Sequence, residues 1–232
     1  MNIYPDINIV GLGLHYKNYL IIGDLQLGYE EYMAKHGALL PRFQYQDIKQ
    51  ALKKLLEETQ ATTLIINGDI KHEFGTITEQ EWRDVLGIID SVNKNIKIIF
   101  VKGNHDLVLG PIAKKRNVEM VDYYNIDNIT ITHGDKLLLD TGKIIIIGHE
   151  HPALSFPGRK DERYKCFLKG IWNKKTLIVV PSFSPINPGM NLLDNQPLSP
   201  YLQHNIDNFE VYIIEDKPYY FGTIKKIKKE LL

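Results

Sequence analysis

A chain of 232 residues, of which 44% are hydrophobic, can bury one substantial core, so we expect a single domain spanning residues 1–232. The 28 basic and 28 acidic side chains give a formal net charge of zero, which excludes a global field that would draw the protein to nucleic acid or membrane. Any binding of anions must therefore depend on a local cluster of charges.

The sequence predicts a cytoplasmic protein without membrane contact. No stretch approaches the roughly 18 apolar residues needed to span a bilayer, and the segment from Met1 to Asp6 has no basic region leading into an apolar run. The single cysteine, Cys166, has no partner for an internal disulfide and is expected to be a buried structural thiol.

Short apolar runs rich in β-branched residues predict strands in the first half of the chain. Their near-continuous hydrophobicity indicates strands that are buried on both faces of a sheet. Two further segments carry apolar residues at helical spacing and predict amphipathic helices. The predicted strands are residues 19–22, 63–66, 96–101, 129–132 and 143–147, and the predicted helices are residues 43–58 and 79–92.

The second half of the chain predicts a more antiparallel sheet. Strand candidates lie at residues 165–171, 177–180, 209–214 and 219–224, and Asp216-Lys217-Pro218 predicts a hairpin turn between the last two. Residues 181–200 are rich in proline and are predicted to be mainly loop, and residues 225–232 predict a short, solvated helix. The expected fold class is α/β, a four-layer α-β-β-α sandwich of two facing mixed sheets flanked by helices.

Each predicted strand of the first half is followed by a short polar segment built from Asp, Asn, His and Gly. Because α/β sheets bind ligands at the carboxyl ends of their strands, we expect these loops to form one site. Oxygen and imidazole ligands without thiolate favour manganese, iron, zinc or cobalt over calcium or a structural cysteine–zinc site. The segments are Gly23-Asp24-Leu25-Gln26, Asn67-Gly68-Asp69-Ile70-Lys71-His72, Gly103-Asn104-His105-Asp106, His133-Gly134-Asp135 and Gly148-His149-Glu150-His151.

These ordered segments resemble the motifs of the calcineurin-like metallophosphoesterases. The family pattern runs Asp-x-His, Gly-Asp-x-x-Asp or His, Gly-Asn-His-Asp or Glu, a lone His and Gly-His-x-His, and corresponding elements occur here in order from Asp24 to His151. The sequence of residues 67–75 resembles the small archaeal members, which are similar to bacterial phosphodiesterases associated with a DNA ligase.

The resemblance implies two divalent metal ions, with manganese favoured and zinc, iron, cobalt or nickel as alternatives. Two cations roughly 3.5–4 Å apart polarise a phosphate and activate a bridging water as the nucleophile. His105 is expected to contact the leaving oxygen instead of a metal. The implied ligands are Asp24, Gln26, Asp69 and His151 for one metal, and Asp69, Asn104, His133 and His149 for the other, with Asp69 bridging.

Two positions are informative within this pattern. Gln26 stands where the family usually has histidine, so we expect either a weaker first metal site or an amide that contacts only a metal-bound water. His72 stands where protein phosphatases of the family carry aspartate and the nuclease of the double-strand-break repair complex carries histidine. His72 is expected to touch the phosphate beside His105, as a second catalytic residue, or to orient a neighbouring group.

Other charged residues near the motifs have two interpretations each. Asp106 and Glu150 are expected to orient neighbouring groups or to face solvent. The basic run that follows the last motif is either a solvated loop, the usual role of such a run, or a positive rim that attracts a polyanion. Its basic residues are Arg159, Lys160, Arg163, Lys165, Lys169, Lys174 and Lys175.

The leading hypothesis is a metal-dependent phosphodiesterase that hydrolyses DNA or RNA, a nuclease in DNA repair with repair proteins as partners. A phosphomonoesterase is the nearest alternative, although 232 residues leave little room for a domain that closes over a monoester. A non-catalytic metal-binding scaffold of the same fold is the third hypothesis. The scaffold subunit of retromer lacks the active-site histidine of the family, whereas this chain has His105 at that position. This difference argues against a scaffold. No feature of the sequence specifies an oligomeric state.

Overall fold

Two mixed β-sheets face each other, and helices lie on their outer surfaces. The computed structural model describes residues 1–38, 41–156, 159–193 and 196–231. In the first sheet, the strands from β1 to β4 pair antiparallel and those from β4 to β7 pair parallel. Its described strands, in spatial and chain order, are β1 (Asn2–Tyr4), β2 (Ile7–Val10), β3 (Gly13–Tyr16), β4 (Tyr19–Gly23), β5 (Thr63–Asn67), β6 (Lys97–Val101) and β7 (Glu119–Val121).

The second sheet is built from the remaining strands of the described residues. They are β8 (Tyr123–Ile126), β9 (Ile129–Thr132), β10 (Ile144–Ile147), β11 (Pro152–Phe156), β12 (Arg159–Trp172), β13 (Lys175–Val179), β14 (Met190–Asn191), β15 (Glu210–Ile214) and β16 (Pro218–Thr223). The spatial order is β14-β11-β12-β13-β10-β9-β8, with β15 beside β12 and β16 beside β15. Strands β9, β10 and β13 are parallel, so the carboxyl ends of β9 and β10 lie side by side.

The described helices are α1 (Tyr29–Lys35), α2 (Gln44–Thr59), α3 (Glu79–Ser91), α4 (Gly110–Lys115) and α5 (Ile224–Leu231). Helix α3 begins with a capping box, in which the Thr78 side chain accepts from the Glu81 backbone and the Glu81 side chain accepts from the Thr78 backbone. None of the described helices combines the length and the apolar character that a bilayer span requires.

Side chains of one strand alternate between two apolar layers. In β4, Leu20 and Ile22 share a core with helices α2, α3 and α4, whereas Ile21 packs between the two sheets. In β10, Ile146 lies between the sheets, and Ile145 packs in a third core that includes Ile224 of α5. The predicted four-layer α-β-β-α sandwich is therefore confirmed, and the strands are buried on both faces as their hydrophobicity predicted.

Most predicted elements have nearly the same bounds in the structure, and the hairpin at Asp216-Lys217-Pro218 joins β15 to β16. Two expectations were wrong. The basic run is mostly the long strand β12, because its apolar residues pair it with β11, β13 and β15. Helix α5 is more than a solvated end, because Ile224 and Ile227 are buried. Strands β1 to β3, of three or four residues each, were not predicted, because polar residues interrupt their hydrophobic runs.

Candidate metal centre

The predicted ligands lie in loops at the carboxyl ends of strands from both sheets. In the first sheet, Asp24 follows β4, Asp69 follows β5 and Asn104 follows β6. In the second sheet, His133 follows β9, and residues 148–151 follow β10. Each set of strands is parallel, so its loops emerge at one edge of the sheet, as the sequence predicted.

One group of donor atoms surrounds the imidazole of His133. Its Nε2 atom lies 3.0 Å from Asn104 Oδ1, 3.1 Å from His149 Nδ1 and 3.4 Å from Asp69 Oδ1. The donor atoms of Asp69, His133 and His149 all lie within 4.8 Å of one another. One proton on His133 Nε2 can serve only one of these neighbours, whereas a divalent cation at their centre would take a lone pair from each. The arrangement therefore fits a metal.

A second group of donors is built from Asp24, Asp69 and His151, whose ligand atoms also lie within 4.8 Å of one another. His151 Nε2 is buried and lies 3.0 Å from Asp24 Oδ1 without the geometry of a hydrogen bond. Asp69 belongs to both groups, as a bridging carboxylate would. Each group falls within one of the two ligand sets that the resemblance implied, and the full sets, with Gln26 and Asn104, stay a prediction.

Gln26 lies beside the second group and is held by Asn187, which the sequence did not single out. Asn187 Nδ2 lies 2.8 Å from Gln26 Oε1 and 2.9 Å from His151 Nδ1. Asn187 Oδ1 accepts a hydrogen bond from the Gly189 backbone at 2.9 Å, which fixes the direction of the amide. Asn187 thus holds the His151 ring at Nδ1, and Nε2 faces Asp24 in the second group.

The buried carboxylates of the site require positive charge. Burial alone would raise the pKa of Asp69, but its hydrogen bond with His133 and the charges of His133 and His105 lower the pKa to about 2. Burial disfavours the charged form of His133, yet the hydrogen bond to Asp69 and the charges of Asp24 and Asp69 raise the pKa of His133 to about 9. Burial, and then the charge of His133, lower the pKa of His149. Either a protonated His133 or a divalent cation supplies the charge that the carboxylates need.

At several predicted ligands the backbone adopts the left-handed conformation, which non-glycine residues rarely adopt. A non-glycine residue in the left-handed region costs on the order of 1–2 kcal/mol, so it persists only where surrounding contacts enforce it. Such residues cluster at functional sites. The predicted ligands with positive φ are Asp24 (56°), Gln26 (48°), Asp69 (45°), His149 (65°) and His151 (46°).

Glycines in these loops allow the donor groups to approach closely. A Cβ atom at Gly68, where φ is 78°, would lie 2.0 Å from His133 Nδ1. A Cβ atom at Gly103 would lie 2.2 Å from Asp69 Oδ1. Any side chain at either position would therefore separate the loops that hold the predicted ligands.

The two predicted catalytic histidines lie together at the side of the site. The ring centroids of His72 and His105 are 5.8 Å apart, and His105 Nδ1 contacts the backbone carbonyl oxygen of His72. His105 Nε2 lies 3.6 Å from Asp69 Oδ2, and the His105 backbone N–H donates to Asp69 Oδ1 at 3.1 Å. His105 is thus next to both donor groups, and His72 is one step further away.

Several buried polar residues hold the loops in place. Asp106 accepts hydrogen bonds from the backbone N–H groups of Ile70 and Gly103, both at 3.0 Å, and so links two ligand loops. Glu150 accepts from the backbones of Leu198 and Ser199, both at 2.9 Å. Neither carboxylate faces solvent, so the orienting interpretation of both agrees with the structure.

Most basic side chains of residues 159–175 that the structure describes are held by protein acceptors. In this described part, the basic run therefore does not form a free positive rim. Arg163 donates to the Gly189 carbonyl oxygen, and Lys165 Nζ donates to the carbonyl oxygens of Ser182, at 2.8 Å, and Ser184. Lys169 pairs with Glu210 at 2.7 Å, and Lys175 donates to Thr141. Lys174 is exposed. The side chains of Arg159 and Lys160 lie outside the described part.

A cavity of about 350 Å³ opens beside the donor groups. A larger cavity of about 790 Å³ lies between α3 and β6 and includes no predicted ligand, so the smaller one is the candidate active site. The lining of the smaller cavity combines four imidazoles and the Asp69 carboxylate with several apolar side chains. Its lining residues are Gln26, Tyr29, Asp69, His72, His105, His149, His151, Ile186, Asn187, Pro188, Met190 and Leu198.

Comparison with solved structures identifies proteins of similar fold. The nuclease MPE of Pseudomonas putida is 19% identical with a TM-score of 0.65, over 90% of this chain and 91% of that one. YfcE, a phosphoesterase from E. coli, is 13% identical with a TM-score of 0.41, over 85% and 88% of the two chains, which is too distant to support an argument. No curated protein sequence matches the chain.

The family assignment depends on the sequence as a whole. The model of the calcineurin-like phosphoesterase family matches residues 17–213, a range that contains every predicted ligand and both predicted catalytic histidines. The loops in that range bring together the donor groups described above. The chain therefore belongs to the calcineurin-like phosphoesterases, a family of metal-dependent hydrolases.

Proposed function

We propose that the chain is a two-metal phosphodiesterase that hydrolyses nucleic acid. The observation that carries this proposal is the pair of donor groups that share Asp69. When bound, two divalent cations supply Lewis-acid polarisation of the phosphate and a water of lowered pKa, and manganese is the favoured metal. The proposed ligands are Asp24, Gln26, Asp69, Asn104, His133, His149 and His151.

His105 is proposed to handle the proton of the leaving group. Its Nδ1 contacts the His72 carbonyl oxygen, which can only accept a hydrogen bond, so Nδ1 carries a proton. The remaining nitrogen, Nε2, is close to Asp69 Oδ2 on the side of the donor groups. When the imidazole is cationic, Nε2 can give its proton to the departing oxygen, a role worth about 10²–10⁴-fold in rate.

His72 favours a diester over a monoester. Burial, and then the neighbouring charge of His105, lower the pKa of His72 to about 4, so the ring is neutral at neutral pH. A neutral imidazole can hydrogen-bond a phosphate oxygen but adds no positive charge. A phosphodiester carries one negative charge, whereas a phosphomonoester carries close to two at neutral pH, so the neutral ring suits the diester better.

The cavity is accessible to a long substrate. Phe74, beside His105, is 58% exposed, and Leu198, which lines the cavity, is 52% exposed. We propose that a polymer extends from the site over these exposed side chains. The similar fold of the Pseudomonas putida nuclease supports nucleic acid as the substrate. The resemblance to ligase-associated phosphodiesterases supports a role in DNA repair, with repair proteins as partners.

The decisive experiment compares three substrates in the presence of Mn²⁺. We expect hydrolysis of bis-p-nitrophenyl phosphate and of DNA, and much slower hydrolysis of p-nitrophenyl phosphate. His105→Ala should remove most of the activity, while His204→Ala, at an exposed histidine, should not. Preference for the monoester would favour a phosphomonoesterase, and activity on none of the substrates would favour a non-catalytic scaffold.

A further inference from the structure

An exposed aromatic side chain covers one edge of the candidate active site. The Phe74 ring centroid lies 3.6 Å from that of the His105 imidazole, with 36° between the planes. Although one part of the ring contacts His105, the side chain is 58% exposed. Exposure of this much apolar surface is unfavourable, so a ligand that covers the ring would be stabilised by its burial.

The loop that carries Phe74 is fixed on both sides by one buried carboxylate. The Glu73 backbone N–H donates to Glu81 Oε1 at 2.6 Å, and the Thr78 backbone N–H donates to Glu81 Oε2 at 2.8 Å. Between them, the Thr76 backbone N–H donates to the Phe74 carbonyl oxygen at 2.8 Å, which closes a tight turn. The ring is therefore held beside His105 in advance, and a ligand need not pay for ordering it.

Further aromatic groups continue this surface into the cavity. The His72 imidazole is contacted edge-on by the rings of Tyr29 and Tyr32, each with centroids 4.8 Å away. Tyr29, His72 and His105 all line the cavity. The candidate active site thus presents aromatic rings next to its predicted metal ligands.

The nearest lysine along the chain adds no positive charge to this surface. Lys71, the nearest cation along the chain, is fully buried, and its Nζ donates to the Glu73 carbonyl oxygen. The exposed part of Phe74 therefore offers a flat π surface to a group that covers it. Nucleobases have such faces, and stacking on an aromatic side chain is tolerant of base identity.

We propose that Phe74 stacks on an unpaired nucleobase next to the cleaved phosphate and so selects single-stranded DNA or RNA. This inference rests on the proposed function. A base in a duplex is already stacked between its neighbours and cannot cover the ring unless it is first extruded. A base that is free to stack on Phe74 would place its adjoining phosphate near His105 and the donor groups.

The test is a comparison of two single-stranded oligonucleotides that differ only in their bases. One is oligothymidine, and in the other the residues flanking the cleaved phosphate are abasic tetrahydrofuran units. Loss of one stacked base typically weakens binding by about tenfold to a hundredfold, so Phe74→Ala should lower kcat/KM for the first oligonucleotide by that factor, mainly through KM. The same variant should lower kcat/KM for the abasic oligonucleotide by a much smaller factor, because that substrate has no base to lose from the ring.

Three companion variants separate stacking from other effects. Phe74→Trp should retain activity on both oligonucleotides, whereas Phe74→Leu, which keeps apolar volume without a π face, should behave like Phe74→Ala. Leu107→Ala removes another apolar side chain, which is 79% exposed, and should leave kcat/KM unchanged for both oligonucleotides. The same variants are then assayed with oligouridine, which has a ribose sugar. Because the proposed contact is with the base, the variants should change kcat/KM for oligouridine as they do for oligothymidine.

The outcomes distinguish this inference from the proposed function. Equal losses on thymidine and abasic oligonucleotides, or full activity of Phe74→Leu, would overturn the stacking role and leave the phosphodiesterase intact. Faster cleavage of a duplex than of the single strand would also overturn it. Hydrolysis of neither oligonucleotide nor bis-p-nitrophenyl phosphate by the unaltered protein would overturn the proposed function, and the stacking role with it.

Discussion

Asn187 and Gln26 are 161 positions apart in the sequence, yet Asn187 Nδ2 donates a hydrogen bond to Gln26 Oε1 at 2.8 Å. The same amide contacts His151, so one side chain orients two predicted ligands of one metal. This metal, called the first, is the one that the resemblance assigns to Asp24, Gln26, Asp69 and His151. Groups that orient metal ligands commonly matter nearly as much as the ligands themselves. Asn187 therefore fixes the direction of the amide that we propose as the weaker ligand.

Removal of Asn187 should weaken one metal site selectively. We expect Asn187→Ala to lower the affinity of the first metal by about tenfold to a hundredfold, because Gln26 and His151 lose their shared partner. Calorimetric titration with Mn²⁺ would measure both sites. Asn205→Ala, at an exposed position, is the matched control. Equal weakening of both sites would contradict the assignment of Asn187 to the first.

Gln26→His should tighten binding of the first metal. An imidazole nitrogen is a better ligand for manganese, zinc or cobalt than a neutral amide oxygen. We expect the higher-affinity variant to require less metal for half-maximal phosphodiesterase activity, and calorimetry should show the same change. Unchanged affinity would mean that position 26 contacts no metal directly.

Asp106→Asn should destabilise the protein. The carboxylate accepts from the backbones of Ile70 and Gly103, and an asparagine amide would turn an N–H₂ group toward one of these donors. A buried donor left without an acceptor costs about 1–3 kcal/mol in free energy of unfolding. Urea denaturation would measure the loss. Asp140→Asn, at an exposed position, should have a free energy of unfolding close to that of the unaltered protein.

Metal removal should lower the melting temperature. The donor group around His133 joins Asp69 and Asn104 of the first sheet to His149 of the second, so a bound cation links the sheets. A ligand at 100 times its Kd stabilises the folded state by about 2.7 kcal/mol. Calorimetry with EDTA and with added Mn²⁺ would show the shift. The metal-dependent shift in melting temperature should be absent in His133→Ala. If the melting temperature of the unaltered protein does not depend on metal, the proposed ligand set is refuted.

Cys166 should be unreactive until the protein unfolds. The thiol is fully buried, and burial raises its pKa far above the ordinary value of 9.0. Ellman's reagent should therefore react only in denaturant. The unfolded thiol ionises near pH 9.0 and the folded one does not, so the unfolded state binds fewer protons and stability falls as the pH rises above that value. Cys166→Ala should reduce this fall, and an identical pH dependence would contradict it.

The strands of the first half could be predicted because their hydrophobicity is continuous. In β5, each residue from Thr63 to Asn67 is buried, and this pattern identifies a strand covered on both faces. The polar loops followed directly, because the carboxyl ends of such strands form sites. Most of the candidate ligands could therefore be named from local sequence.

Contacts across the sheets could not be predicted in this way. Asn187 lies in a proline-rich loop whose sequence resembles many turns, and its partners are distant in the chain. The basic run was misjudged for a similar reason. Charge indicated solvent, but Lys165 extends from β12 to the carbonyl oxygens of Ser182 and Ser184, which only the folded chain brings close.

The division of donors between two sheets also constrains the order of events during synthesis. Asp24, Asp69 and Asn104 belong to the part of the chain that emerges first, whereas His133 and residues 148–151 emerge later. Before the second sheet docks, His105 is the imidazole beside Asp69, the predicted ligands His133, His149 and His151 are missing, and no complete set of donors exists. We therefore expect the nascent chain to bind metal weakly, so that metal capture marks the end of folding and not its start.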